Sequence, residues 1–194
     1  FMRLLVRRGV PVWYSEGFSP HPRLVFATPL SVGTESVCEF VDVQVVGAPE
    51  DTDVSDLFAG LRDTGIEGLF IQEVYFPSTK FSAITHSDYE LRFHLSQADE
   101  KDAANYEAAL SASPLVILKR TKSGERDTDI SDQICSVSAQ LQENGFLIRA
   151  RLSADSANFL NPEYLVRVLR QHGLPDCAYS ILRTNVLCGE NSFR

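Results

Sequence analysis

The amino-acid sequence predicts an α+β fold made of two ferredoxin-like βαββαβ units in tandem, each an α/β sandwich, the first lacking its opening strand. Three observations predict it. Extended apolar runs alternate with helical repeats, the resulting order of elements occurs twice, and the segments that join the elements are short. The first unit is expected over residues 1–86 and the second over 87–194, packed as one body. Only the order repeats, since the two halves show no residue-by-residue similarity.

Residues 1–8 read as the end of a helix that Gly9 stops and Pro11 keeps from resuming. Val12-Trp13-Tyr14 is short and extended. Residues 15–23, punctuated by Gly17, Pro20 and Pro22, form a loop. Leu24 to Ala27 is a short strand. A turn over 28–33 leads to a longer one, Ser36 to Val46, where Cys38, Phe40, Asp42 and Gln44 alternate with Glu39, Val41, Val43 and Val45. Thr52 or Asp53 caps a helix through Val54, Leu57, Phe58 and Leu61, closed by Gly65. Leu69 to Phe76 is again rich in strand formers.

The second half opens with a strand from Tyr89 to Leu95, whose odd positions Tyr89, Leu91, Phe93 and Leu95 share one face. A helix follows from about Lys101 to Leu110, with Ala103, Tyr106, Ala109 and Leu110 at near-helical spacing. Leu115 to Arg120 is a strand, Lys122-Ser123-Gly124-Glu125 a turn, and 126–134 extends the hairpin. Val137 to Leu141 and Phe146 to Leu152 are strands joined at Asn144-Gly145, a strong hairpin signal. Asn161-Pro162 starts a helix through Tyr164, Leu165, Val168 and Leu169. Gly173 ends it, and Tyr179 to Leu187 is the last strand.

Bulk properties exclude several function classes. No run of about 18 apolar residues exists, so a spanning helix is not expected. The early arginines Arg3, Arg7 and Arg8 break the only apolar run that a signal peptide would need. The chain opens inside a helical pattern, as a fragment or a chain short of its leading residues does. Four widely spaced cysteines, Cys38, Cys135, Cys177 and Cys188, form no CxxC pair, which argues against a metal cluster and for free thiols in a reducing cytoplasm. The formal charge is -8, from 18 basic against 26 acidic residues, and argues against a broad nucleic-acid-coating surface. A local basic patch remains open, because Arg3, Arg7, Arg8 and Arg23 oppose only Glu16 in the first 23 residues.

The most distinctive segment is YSEGFSPHPRLVFATPLSVG, from Tyr14 to Gly33. Its Pro-His-Pro triplet fixes φ at both prolines and pushes Ser19 and His21 toward extended conformations. Such stiffness suits a presented binding edge, with Glu16, Ser19, His21 and Arg23 as candidate ligand or partner contacts. From composition alone, the stronger claim belongs to a histidine bonded to backbone and prolines that stiffen a crossover. A second cluster is Arg120, Lys122, Arg126, Asp127 and Asp129, where a phosphate or carboxylate competes with an ordinary solvated hairpin. A polar loop over 153–162 ahead of a helix start is a third. The expected site joins Glu16, His21 and Arg23 to Arg126, Asp127 or Asp129 in one exposed cleft between the halves. No phosphate loop, HExxH, GxSxG or CxxxCxxC motif occurs, so no independent catalytic activity is expected.

The block GFSPHPRLVFATPLSVGTES resembles the radical SAM-linked family of unknown function, found fused to or partnered with B12-binding-type radical SAM proteins. The resemblance continues at Glu39 and Asp42, a Glu-x-x-Asp pair, at Tyr89-Glu90-Leu91, at Arg126-Asp127-Thr128-Asp129-Ile130 and at Ile181-Leu182-Arg183-Thr184. Asn161-Pro162 departs from the family's more usual Arg-Pro. The resemblance adds Glu39 and Asp42 to the candidate site. It implies an accessory or substrate-presenting domain whose partner carries the iron–sulfur cluster and S-adenosylmethionine, with no cofactor bound by this chain. An RNA-binding or RNA-modification accessory, linked to tRNA, rRNA or ribosome maturation, is the alternative.

Overall fold

Alternation in the sequence sets the central strand: Ser87, Tyr89, Leu91 and Phe93 are buried, while Arg92 and His94 are exposed. The structure, a computed structural model, describes residues 1–121 and 124–194. Lys122 and Ser123 of the expected turn lie outside the described residues, as do the side chains of Arg120 and Thr121. In chain order the regular elements are α1 (Met2–Arg7), β1 (Leu24–Phe26), β2 (Thr34–Ser36), β3 (Val41–Val43) and α2 (Val54–Leu61). There follow β4 (His86–His94), α3 (Glu100–Leu110), β5 (Val116–Thr121), β6 (Gly124–Asp129) and β7 (Ile134–Gln142). The last are β8 (Gly145–Ser153), α4 (Glu163–Gln171), β9 (Tyr179–Cys188) and β10 (Asn191–Ser192). This is a mixed α/β chain with several sheets.

Two compact units emerge. The first comprises residues 1–27, 40–79 and 194; the second comprises 28–39 and 80–193. The sequence-based division at 86/87 did not anticipate that 28–39 groups with the second unit.

In the second unit, β4 pairs antiparallel with β8 and β9, and β8 pairs antiparallel with β7. The main sheet order is therefore β9-β4-β8-β7. Short strands line the outer edge of β9: β2 parallel along Ile181–Arg183 and β10 antiparallel at its end. Connectivity runs β4-α3-β7-β8-α4-β9, with the β5–β6 hairpin inserted after α3. Asp99 and Asp102 close a capping box that fixes the start of α3. Asn161 Oδ1 accepts from Glu163 N at 3.0 Å at the start of α4. Tyr106, Leu110, Leu165, Val168 and Leu169 from the helices meet Leu91, Phe93, Phe146 and Ile148 from the sheet in one core. Phe146 stacks on Phe93 at 4.7 Å and on Tyr106 at 4.9 Å.

In the first unit, Leu4 and Leu5 of α1, Val12 and Leu61 of α2 form a small core, with Leu24, Val43, Leu69 and Ile71 packed against it. Strands β1 and β3 pair antiparallel, Leu24 facing Val43. Asp53 caps α2 by accepting from Ser55 N and Asp56 N.

Two expectations change here. The long strand over Ser36–Val46 is broken, because its first residues pair with β9 and its later ones with β1. One straight strand cannot serve partners in two units. Residues 69–76, expected as a strand, run without regular secondary structure although Leu69, Ile71 and Val74 are packed in the core. Their apolar pattern therefore reports burial rather than pairing.

Candidate functional site

The loop over 15–21 is closed at its neck by the backbone. Ser15 N donates to His21 O at 2.9 Å, and His21 N donates to Ser15 Oγ at 3.0 Å. Tyr14 pairs with Pro22 as an isolated antiparallel bridge, and Arg23 N donates to Trp13 O at 3.1 Å. Beyond that neck, residues 16–20 are all exposed. Gly17 sits at φ +126°, a conformation that only glycine adopts freely, so the chain can reverse and push Phe18 outward. Phe18 is fully exposed, with a relative accessibility of 109%.

The loop's polar side chains are displayed too. Glu16, Ser19, His21 and Arg23 are exposed, and Ser19 Oγ lies 3.5 Å from His21 Nε2. Among the described residues, Glu16, His21 and Arg23 form no ion pair. His21 therefore takes a structural bond through its backbone while its ring faces solvent. Asp42 of β3 lies opposite Val25, off the face that carries Val43 into the core. Partial burial pushes its carboxyl pKa up.

Glu39 belongs to the second unit and has a different role. Its Oε1 accepts from Arg183 Nη1 at 2.8 Å. Arg183 is only 1% exposed, and its guanidinium also donates to Thr28 Oγ1 at 2.7 Å, Tyr89 Oη at 3.1 Å and the Pro29 carbonyl. Three of those acceptors come from 28–39, so a single buried cation fastens this segment beside β9. Val37 N adds a ladder bond to Arg183 O at 3.1 Å. Cys38 Sγ lies 3.8 Å from that same carbonyl, and burial holds its thiol pKa above the ordinary value. Sequence reading gave Arg183 no role. The available signal was its period-two spacing from Ile181, which puts an arginine on an inward face.

The hairpin candidates separate by environment. Arg126 and Asp127 are exposed on β6. Asp129 is occupied structurally: its Oδ1 accepts from Leu115 N and Ser131 N, each at 2.9 Å, and those bonds lower its pKa. Of the expected joint site, Glu16, Ser19, His21, Arg23 and Asp42 lie in the first unit, and Glu39, Arg126, Asp127 and Asp129 in the second.

Sequence reading also missed a group on α4. Tyr164 has the Arg167 guanidinium 5.1 Å and the Lys119 ammonium 5.6 Å from its ring centroid. Among the described residues, no three His, Cys, Asp or Glu side chains are grouped to hold a metal ion. No described helix is long and apolar enough to cross a membrane.

The fold and these sites define an α+β protein with a displayed Pro-His-Pro loop in one unit and a buried arginine anchor in the other. The chain belongs to a family described as an uncharacterized protein conserved in bacteria (DUF2344), whose model matches residues 1–162. No curated protein and no solved structure matches it.

Proposed function

We propose that this chain is an accessory, substrate-presenting domain that works with a radical SAM enzyme in the cytoplasm and has no independent turnover. The iron–sulfur cluster and S-adenosylmethionine belong to that partner. One observation carries the docking part of the reading: a neck-closed loop presents Phe18, Glu16, Ser19, His21 and Arg23 to solvent. A pre-ordered loop loses little entropy on binding, and a fully exposed aromatic ring is the kind of anchor that fills a partner's pocket. Phe26, Phe70 and Phe76 of the same unit are also exposed. The choice of a radical SAM partner rests on the resemblance carried by the GFSPHPR block.

In this reading the second unit is a ferredoxin-like domain. Its βαββαβ connectivity and all-antiparallel order β9-β4-β8-β7 support that assignment. The first unit is its partial counterpart, retaining the helix–strand–strand–helix order of such a half.

The test is affinity purification of the full-length native protein from its own cells, beside Phe18→Ser and His21→Ala variants. Both positions are exposed, so the variants are expected to fold as the parent does. Recovery of a radical SAM protein that both variants weaken supports the proposal. Recovery of tRNA or rRNA fragments without that protein moves the function to RNA modification. Turnover by the purified chain alone defeats both.

A further inference from the structure

Strand β7 forms one outer edge of the second unit's sheet, independent of the displayed loop. It pairs with β8 on one side and, among the described residues, with no strand on the other. One bond fixes the direction of its backbone. Ala139 N donates to Glu107 Oε2 of α3 at 2.8 Å, so it points away from β8. In an antiparallel strand the N–H and C=O of one residue share a side, and the side alternates along the chain. Val137, Ala139 and Leu141 therefore turn both groups to the open edge, while Ser138, Gln140 and Gln142 turn theirs to β8. The Glu107 carboxylate stands where the carbonyl of an added strand would stand. Val137 N and Leu141 N meet no acceptor among the described residues.

Exposed edges are ordinarily blunted by charged residues or proline. Strand β7, ICSVSAQLQ, contains neither, although β4, β8 and β9 each carry charged side chains. Its one irregularity, between Ile134 and Ser136, leaves the stretch from Val137 onward regular. A groove of about 570 Å³ runs between this edge and α3. Ala103, Ala104 and Ala108 line its helical wall, with Glu100 and Glu107 beside them, and Ala139 and Leu141 line the strand wall. The alanines leave room for the side chains of one more strand. No Lys or Arg lines the groove, and neither Glu100 nor Glu107 is ion-paired among the described residues.

We propose that β7 takes an extended, lysine- or arginine-bearing segment of a partner protein as an additional antiparallel strand. Main-chain bonds to Val137, Ala139 and Leu141 hold the segment, and its basic side chains on the α3 side meet Glu100 and Glu107. Glu107 then passes from Ala139 N to one of those cations. A second copy of this chain lacks that complementarity. Two-fold pairing of β7 with its own copy sets Glu100 and Glu107 of one α3 against the same residues of the other, and like charges repel.

Calorimetric titration of the full chain uses a nine-residue peptide of alternating lysine and valine, equal to β7 in length. Its counterpart with glutamate for lysine should bind at least about tenfold more weakly. Two further forms carry backbone N-methyl groups, one at every valine and one at every lysine. Alternate N–H groups face opposite edges of a strand, so one methylated form should bind like the parent peptide. The other loses up to about three main-chain bonds and should bind at least about tenfold more weakly. Hydrogen exchange followed by NMR should slow at the Val137 and Leu141 amides when the parent peptide is added. Ala108→Arg and Glu100→Lys, both at exposed positions, should fold as the parent does and weaken binding about threefold or more. Equal binding of the two methylated forms, or exchange at Val137 and Leu141 that the peptide leaves unchanged, shows attraction by charge alone and overturns the proposal. Absence of binding overturns it too. Exchange already slow in the chain alone, and fast again on dilution, gives the edge to a second copy instead.

Discussion

Arg183 shows how one residue can decide the course of a whole segment. A guanidinium removed from water is tolerated only when its donors are met, and here an ion pair, a hydroxyl, a phenol and a carbonyl meet them. Removing the cation strands those acceptors, so Arg183→Met is expected to lower stability by about 3 kcal/mol in urea unfolding. Glu39 is one-third exposed and water can replace part of its role, so Glu39→Gln should cost less, about 1 kcal/mol. Equal losses would show that the ion pair, rather than the whole bonding set, holds the segment. Asp129 gives a second residue-scale prediction with a definite sign. Bonds from Ser131 N and Leu115 N lower its folded pKa, so its contribution is present above the ordinary carboxylate pKa and is lost as pH falls through the depressed value. Asp129→Asn should therefore flatten the acid end of the stability-versus-pH curve while leaving its shape near neutrality unchanged. An unchanged acid limb would count against this account.

Elements obey local rules until a distant partner intervenes. At the β7–β8 turn, Gly145 has φ +132°, and an added Cβ would lie 1.9 Å from the Phe93 carbonyl oxygen. Gly145→Ala therefore meets both backbone strain and a clash with the neighbouring strand β4. A loss of at least about 2 kcal/mol is expected, measured by thermal or urea unfolding. Asn144-Gly145 made this turn readable, as alternation did for β4 and near-helical spacing for α3. The failures have a common cause. Nothing local in Ser36–Val46 says that its two ends pair in different units, and nothing in Leu69–Phe76 separates an apolar segment that packs from one that pairs. Strand residues are identified by what lies across from them, which a single sequence does not display.

At the scale of the whole molecule, the sequence made the displayed loop legible through its glycine and prolines, but it could not reveal that Glu39 serves a buried arginine 144 residues away. Nor could it bring Lys119, Tyr164 and Arg167 together, because they stand on a hairpin and a helix far apart in the chain. The same long-range organisation gives two cores of unequal size. The second unit's core includes many buried side chains from four strands and two helices, whereas the first rests on Leu4, Leu5, Val12 and Leu61 with partly exposed neighbours. Hydrophobic stabilisation scales with buried apolar area, so the first unit is expected to unfold at lower denaturant. The chain's single tryptophan, Trp13, lies in that unit, bonded through its N to Gln44 O at 2.8 Å. Its fluorescence therefore reports the first unit, while far-ultraviolet circular dichroism is dominated by the longer strands and helices of the second. The expected outcome is two non-coincident transitions in urea, with fluorescence changing first. Leu5→Ala, at a position 1% exposed, should weaken the fluorescence transition by about 2–5 kcal/mol and leave the dichroism transition nearly in place. Coincident curves that shift together in this variant would show instead that the chain unfolds as one cooperative body.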